Sequence, residues 1–322
     1  PGLVGIIATE SSVSNINGEK GILSYRGYSI EELAKKSTFE ETSYLLLFGE
    51  LPTKAELEEF TTKVAEYREL PTDLIKILKS LPKETKPMDV LQMAVSSLGT
   101  FYNLEVSPEM VKGKKYNKDY FMNTSAALIG ALGSIVAAWH RIRSDQEPIS
   151  SNSESTYAEN FLLMLGAEKI TPLMTRIMDA TLVLHGEHTI NASTFTAMVT
   201  SSTLANASQV VASAIGSLSG PLHGGANEKV VSMLSRIDSK DDIRPWLDDT
   251  LKAKNVVWGM GHREYSVKDP RANILTDMVQ ELFNEREGGV TDIFEKAIEL
   301  EKACEEKLAH KGVYPNVDFY SG

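Results

Sequence analysis

The stretch Ala126-Ala-Leu-Ile-Gly-Ala-Leu-Gly-Ser-Ile-Val-Ala-Ala-Trp139 decides the fold class. Within it and just past it, Leu128, Leu132, Ile135, Trp139 and Ile142 recur at steps of three or four, the repeat that puts side chains on one face of an α-helix. The run contains Ser134 and falls short of the roughly 20 apolar residues that span a bilayer, so it reads as a core helix and not as a membrane segment. The same period returns in Leu173, Ile177, Ala180 and Leu184, in Val230, Leu234 and Ile237, and in Ile293, Ala297, Leu300 and Cys304. Working outward, nearly the whole chain reads as helix.

Helix starts carry their own signals. Ser29 with Glu32, Thr38 with Glu41 and Thr53 with Glu56 each place a hydroxyl three residues before a carboxylate, the pattern of a capping box. The exception to helix is the N-terminal stretch Leu3 to Leu23, whose alternation around Asn17-Gly18 predicts a β-hairpin, because both residues tolerate positive φ. From Ala192 to Ser217 the chain is crowded with Ala, Ser, Thr and Gly, and reads as a buried pair of closely approaching helices forming a small-residue core. Breaks are expected at Ser144 to Ser155 and at Gly220-Pro221, the second a domain boundary. The expected fold is all-α with two domains and a short N-terminal hairpin.

The 322 residues are 42% hydrophobic and 24% charged, enough for a substantial core and unlike a disordered chain. With Lys+Arg 33 against Asp+Glu 44 the net charge is -11, which argues against a nucleic-acid or anionic-membrane surface while leaving room for small anionic substrates. The single cysteine, Cys304, permits no intrachain disulfide and no thiolate-rich metal site. With no targeting segment read at the N-terminus, a cytoplasmic location is expected.

Histidine titrates near neutral pH, so each of the six is a candidate for proton transfer. His140 beside Arg141, and His310 between Ala309 and Lys311, have ordinary surface contexts. His185 and His188, with Glu187 between them, suggest a metal pair, but His-Gly-Glu-His lacks the His-Glu-x-x-His spacing that grips zinc, and no metal is expected. His223 lies in Gly220-Pro-Leu-His-Gly-Gly-Ala-Asn227, before a helix whose positive N-terminal end keeps the ring neutral and fit to donate a hydrogen bond. His262 lies in Gly259-Met-Gly-His-Arg-Glu-Tyr265, followed by Asp269-Pro-Arg271, and the cations Arg263, Lys268 and Arg271 read as an anion pocket. Asp318 stands between apolar neighbours in Pro315-Asn-Val-Asp-Phe-Tyr-Ser-Gly322, where burial would raise its basicity.

Taken in order, Tyr25-Arg-Gly-Tyr28, Pro87-Met-Asp89, His185 to Thr194, Gly220 to Asn227, Gly261-His262 through Asp269-Pro-Arg271, and Pro315 to Gly322 resemble the citrate synthase family over essentially the whole chain, in its short prokaryotic form. Lys86 departs from the family, which often has histidine there. The resemblance implies a large helical domain, 1–222, and a small domain, 223–322, that closes over the substrates. It also implies further helices and arginines beyond Gly322, one arginine given across a homodimer interface, so the sequence is expected to be continued by that part of the fold.

The resemblance further implies roles by motif position. Asp318 would remove a methyl proton from acetyl-CoA, His223 would hydrogen-bond the thioester oxygen, and His262 would polarise and protonate the oxaloacetate carbonyl. His188 and Arg271 would hold oxaloacetate. Val256, Val257, Gly259, Met260 and Asn316 would touch CoA, with Arg263 a phosphate partner. Acetyl-CoA is a substrate, and no cofactor or metal is implied. Three alternatives stand beside this reading: 2-methylcitrate synthase using propionyl-CoA, since one methylene is worth only about 1–3 kcal/mol in an acyl pocket; a metallohydrolase built on His185, Glu187 and His188; and a non-catalytic assembly protein on the same fold.

Overall fold

A computed structural model describes residues 7–107, 117–220, 223–285 and 291–321. Pro221 and Leu222 of the expected boundary, Leu3 to Ile6 of the expected hairpin segment, and Gly322 of the last motif lie outside the described residues. Among those described, the fold is helical apart from one three-stranded antiparallel sheet, β1 (Ser14–Asn17), β2 (Ile22–Tyr25) and β3 (Tyr28–Ser29).

The hairpin expected around Asn17-Gly18 is present, but its loop is longer than a two-residue turn. Ser14 faces Tyr25 and Asn17 faces Ile22, and the loop residue with positive φ is Gly21 (φ 62°). Gly18 serves another purpose, described below. A second hairpin, unforeseen, joins β2 to β3 through Arg26 (φ 49°) and Gly27 (φ 92°), the two left-handed residues of a tight turn whose twist matches the strands.

All three capping pairs open helices: α1 (Ile30–Lys36), α2 (Phe39–Phe48) and α3 (Lys54–Glu66). Only Thr53 and Glu56 close the reciprocal box. Glu41 instead accepts from the Ser37 hydroxyl at 2.6 Å, and Glu32 pairs with Lys36 at 3.1 Å. After α4 (Thr72–Ser80) and α5 (Pro87–Ser97) comes α6 (Lys118–Arg143), the helix of the opening stretch.

By length and composition α6 could cross a membrane, contrary to the sequence expectation, because the helix extends well past Ala126 and Trp139. Its apolar face is nevertheless spent inside the protein. Leu128, Ala131, Ile135, Ala138, Trp139 and Ile142 are buried in a core shared with α4, α5 and the later α10 (Ala207–Leu218).

The segment 144–155 is irregular, as expected, and leads to α7 (Tyr157–Leu165), α8 (Pro172–Leu184) and α9 (Ala192–Ser201). Here the reading of a buried helix pair is corrected. Helices α9 and α10 do pack together, but α9 has no buried residue and Val199 is 54% exposed, while α10 buries Ser208, Ala212 and Ile215. Small side chains permit close approach without deciding how many faces a helix covers.

A separate core is built only from residues after His223. It joins α11 (Ala226–Leu234), α12 (Ile243–Lys252) and α14 (Asp292–Leu308) through Leu234, Leu247, Leu300 and Cys304, with Ile237 buried just past the end of α11. Burial pushes the Cys304 thiol up to about 12, so it acts as an apolar filler. Helix α13 (Pro270–Glu285) crosses instead to α1 and α8, where Ile274, Leu275 and Met278 join Leu23, Tyr25, Leu33 and Leu184 in one core. That crossing brings the His262 segment to the end of α8.

Candidate active site

Three loops meet at the C-terminal end of α8. The first follows Leu184, where His185 takes the C-cap position and donates from Nδ1 to the Thr181 carbonyl (2.7 Å). The Tyr25 hydroxyl, fully buried, reaches the Val183 carbonyl (3.2 Å) and accepts the Glu187 N–H (3.2 Å). Burial raises this phenol to about 12, so it remains a protonated donor. His188 then faces Tyr265, with Nε2 and the phenol oxygen 3.2 Å apart, and its ring centroid lies 5.1 Å from that of His262.

His188 is pushed down to about 3, first by burial and then by the Arg271 guanidinium and by His262, so it is neutral at physiological pH. His262 is lowered by burial as well, with Asp269 and Asp318 opposing the shift. Its Nδ1 accepts from the backbone N–H groups of Glu264 (2.9 Å) and Tyr265 (3.3 Å). A ring nitrogen that accepts carries no proton, which assigns the proton of neutral His262 to Nε2 and makes that atom the donor. Tyr265 is raised by burial and by the nearby Asp269 charge, and is fixed as a phenol.

The second loop ends in Asp269-Pro270, where Pro270 takes the first position of α13 and needs no amide partner. Asp269 and Arg271 are buried together at 1% and 5% exposure. Asp269 Oδ1 accepts the Arg271 backbone N–H (2.9 Å) and Nε (3.1 Å), and Oδ2 accepts Nη2 (2.8 Å). The arginine fork expected to take a substrate carboxylate is therefore held by Asp269 along one edge, leaving Nη1 uncommitted among the described residues. Lys268 is likewise paired with Glu301. Of the three cations read as an anion pocket, only Arg263, exposed at the rim, has no acidic partner among the described residues.

The third loop carries Asp318. Met260 and Pro315 form an antiparallel bridge, and Gly261 N–H donates to the Tyr314 carbonyl (2.7 Å). Asn316 ties the two strands together: its N–H reaches the Gly259 carbonyl (2.9 Å), its Nδ2 the Gly261 carbonyl (2.8 Å), and its Oδ1 accepts the Asp318 N–H (3.0 Å). Its amide is thus engaged inside the protein. Gly259 is required by contact, since a Cβ there would lie 2.8 Å from both Phe319 and Val230. Val257 is buried, and Val256, 63% exposed, lines with Trp258, Lys229 and Arg236 a surface cavity of about 420 Å³.

His223 sits three residues before α11, and its Nε2 accepts the Ser193 N–H (3.3 Å), with the Ser193 hydroxyl 2.9 Å away. The proton of its neutral form therefore lies on Nδ1, the opposite tautomer to His262. Ser193 is itself set by Asn191, the N-cap of α9, which follows His188. His140 and His310 are exposed and apart from these loops. Among the described residues no three His, Cys, Asp or Glu side chains are grouped to hold a metal ion. The sequence reading gave no role to Tyr25, Tyr265, Asp269 or Ser193, although all four fall inside motifs it had singled out.

A family model described as citrate synthase, C-terminal domain, matches residues 2–322. The chain belongs to the citrate synthase family. A curated citrate synthase from Synechocystis sp. is 45% identical over 321 residues, covering 100% of this chain and 78% of that protein. The crystal structure of citrate synthase from Pyrobaculum aerophilum superposes with a TM-score of 0.91 at 36% identity, over 100% of this chain and 80% of that one. A ternary complex of carboxymethyl coenzyme A and oxaloacetate with the citrate synthase of Thermoplasma acidophilum gives a TM-score of 0.88 at 30% identity, over 99% of this chain and 81% of that one. Family membership makes the chain an acyltransferase and accounts for the predominantly helical fold.

Proposed function

We propose that this site condenses acetyl-CoA with oxaloacetate and hydrolyses citryl-CoA to citrate and CoA. The observation that carries the reading is that backbone amides bond opposite nitrogens of the two rings, Nε2 in His223 and Nδ1 in His262, so that each ring presents its other nitrogen. Asp318 takes a proton from the acetyl methyl group, and the electron pair moves toward the thioester oxygen, where His223 Nδ1–H holds the developing enolate. The enolate carbon attacks the oxaloacetate ketone while His262 Nε2–H gives its proton to the ketone oxygen. Water then cleaves the citryl thioester.

The neutral His262 ring serves this chemistry because a weak donor polarises a carbonyl without trapping its oxygen as a strongly held anion. His188 and the free edge of Arg271 hold oxaloacetate, and the buried Asp269 fixes which edge is offered. The loop Val256 to Met260 receives CoA, with Arg263 toward its phosphates. Acetyl-CoA enters as substrate, and the reaction as written uses no metal and no resident cofactor.

Three wider readings go with it. The chain divides into a large domain, 1–222, and a small one, 223–322, a division supported by the separate core of α11, α12 and α14. The protein works as a homodimer, supported by α9, which carries Phe195, Met198 and Val199 and has no buried residue. It works in the cytoplasm, where the lone buried thiol of Cys304 suits a reducing compartment.

The test of the chemistry is Asp318→Asn in the full-length protein, with CoA thiol release followed for acetyl-CoA and for propionyl-CoA. Turnover falls by roughly two to four decades while oxaloacetate still binds. Near-normal turnover would remove Asp318 as the base, and a preference for propionyl-CoA would move the reading to the 2-methylcitrate reaction.

A further inference from the structure

Between His185 and His188 stands a carboxylate, Glu187, that the mechanism above does not use. Both of its bonds run through Oε1, which accepts the Ser14 hydroxyl at 2.7 Å and the Thr189 N–H at 2.7 Å. Its own N–H donates to the Tyr25 hydroxyl. Ser14 and Tyr25 face each other across the β1–β2 pair, so one rung of the hairpin grips Glu187 through both side chain and backbone.

Thr189 is the unusual member. Its φ of 66° is left-handed, a conformation that is strained for a β-branched residue and persists only where its surroundings impose it. His188 lies between the two gripped residues. Without the bond to Glu187, the Thr189 amide would lose its acceptor and the backbone would be free to relax to negative φ. That relaxation would turn His188 away from Tyr265 and His262.

We propose that Glu187, its carboxylate seated by Ser14 and its backbone by Tyr25, is a positioning residue whose carboxylate holds Thr189 in its left-handed turn and so fixes His188 for oxaloacetate. The inference rests on the reading of His188 as an oxaloacetate ligand. Glu187 acts as an acceptor and not through its charge, since both bonds use one oxygen that glutamine also possesses.

The experiment compares Glu187→Ala, Glu187→Gln, Thr189→Gly and the double variant Glu187→Ala/Thr189→Gly in the full-length protein, measuring KM for each substrate, kcat and Tm. Wild type is assayed first, and no CoA release from oxaloacetate and acetyl-CoA would sink the functional reading itself. With wild type active, Glu187→Ala raises the oxaloacetate KM about tenfold or more, because the part-buried Thr189 amide loses its acceptor and the competent turn becomes a minor state. The acetyl-CoA KM stays within about twofold, as uniform loss of structure would not allow. Glu187→Gln and Thr189→Gly stay near wild type, and the double variant recovers most of the oxaloacetate KM, because glycine adopts this φ without strain. The inference is overturned by an unchanged KM in Glu187→Ala, by equal damage in Glu187→Gln, or by no recovery in the double variant.

Discussion

Replacing Gly18 by alanine tests how the hairpin and the His262 loop are held together. A Cβ at Gly18 would lie 1.7 Å from the Glu264 carbonyl oxygen and 2.7 Å from its carbon. Both are backbone atoms, so no side chain can swing away. To reach even the 3.0 Å limit that Cβ contacts respect, the two segments must separate by at least about 1.3 Å. The hydrogen bond from Ser266 N–H to the Gly18 carbonyl (3.1 Å) lies in the path of that separation. Overpacking costs about 1–3 kcal/mol and a lost hydrogen bond about 1 kcal/mol, so the loss of stability is about 2–4 kcal/mol. Glu264 and Tyr265 supply the amides that orient His262, so the same displacement turns the imidazole, and a misplacement of this size costs up to about a hundredfold in rate. Gly27→Ala is the control. It pays for a left-handed alanine, about 1–2 kcal/mol, but nothing lies within 4 Å of its Cβ, and its kinetics stay those of wild type. Thermal melts and steady-state CoA release on both variants decide the matter. If Gly18→Ala loses no more stability than Gly27→Ala and keeps its kcat and oxaloacetate KM, the reasoning is wrong.

Two further outcomes are expected. Asp179, half-buried on α8 and accepting the Phe39 N–H at 3.0 Å, is raised by burial from 3.8 to about 6. The folded state thus holds this proton more tightly than the unfolded chain, and its contribution to stability is lost as pH rises from about 4 to about 6. Asp179→Asn keeps the acceptor without the buried charge, so it is more stable than wild type by about 1–2 kcal/mol at pH 7.5 and not at pH 4; a pH-independent difference in Tm would refute the assignment. For the assembly, sedimentation of the full-length protein at micromolar concentration gives a dimer, and a monomer with normal turnover would refute the role given to α9.

What the sequence determined by itself is local. The hydroxyl N-caps at Ser29, Thr38 and Thr53 start helices because the cap bond spans three residues and needs no distant partner. The apolar period of α6 survives for the same reason, since every backbone bond closes within the helix. The histidine segments around His188, His223 and His262, and the aspartate segment around Asp318, were legible as chemistry in glycine-bearing loops, and their order matched a family. Tertiary structure decided what those residues are joined to. Whether Arg271 offers its whole fork or one edge depends on Asp269 folding back two residues away into a dry site, and whether Lys268 is free depends on Glu301 in α14. Gly18 looked like a turn residue, and its function is to let the Glu264 backbone approach, a contact between segments about three quarters of the chain apart. The tautomers of His223 and His262 follow from which backbone amides reach which ring nitrogen, and no spacing of residues encodes that. The small residues of α9 show the limit most plainly: composition specifies how near another helix can come, whereas the number of helices that arrive is set by packing over the whole molecule.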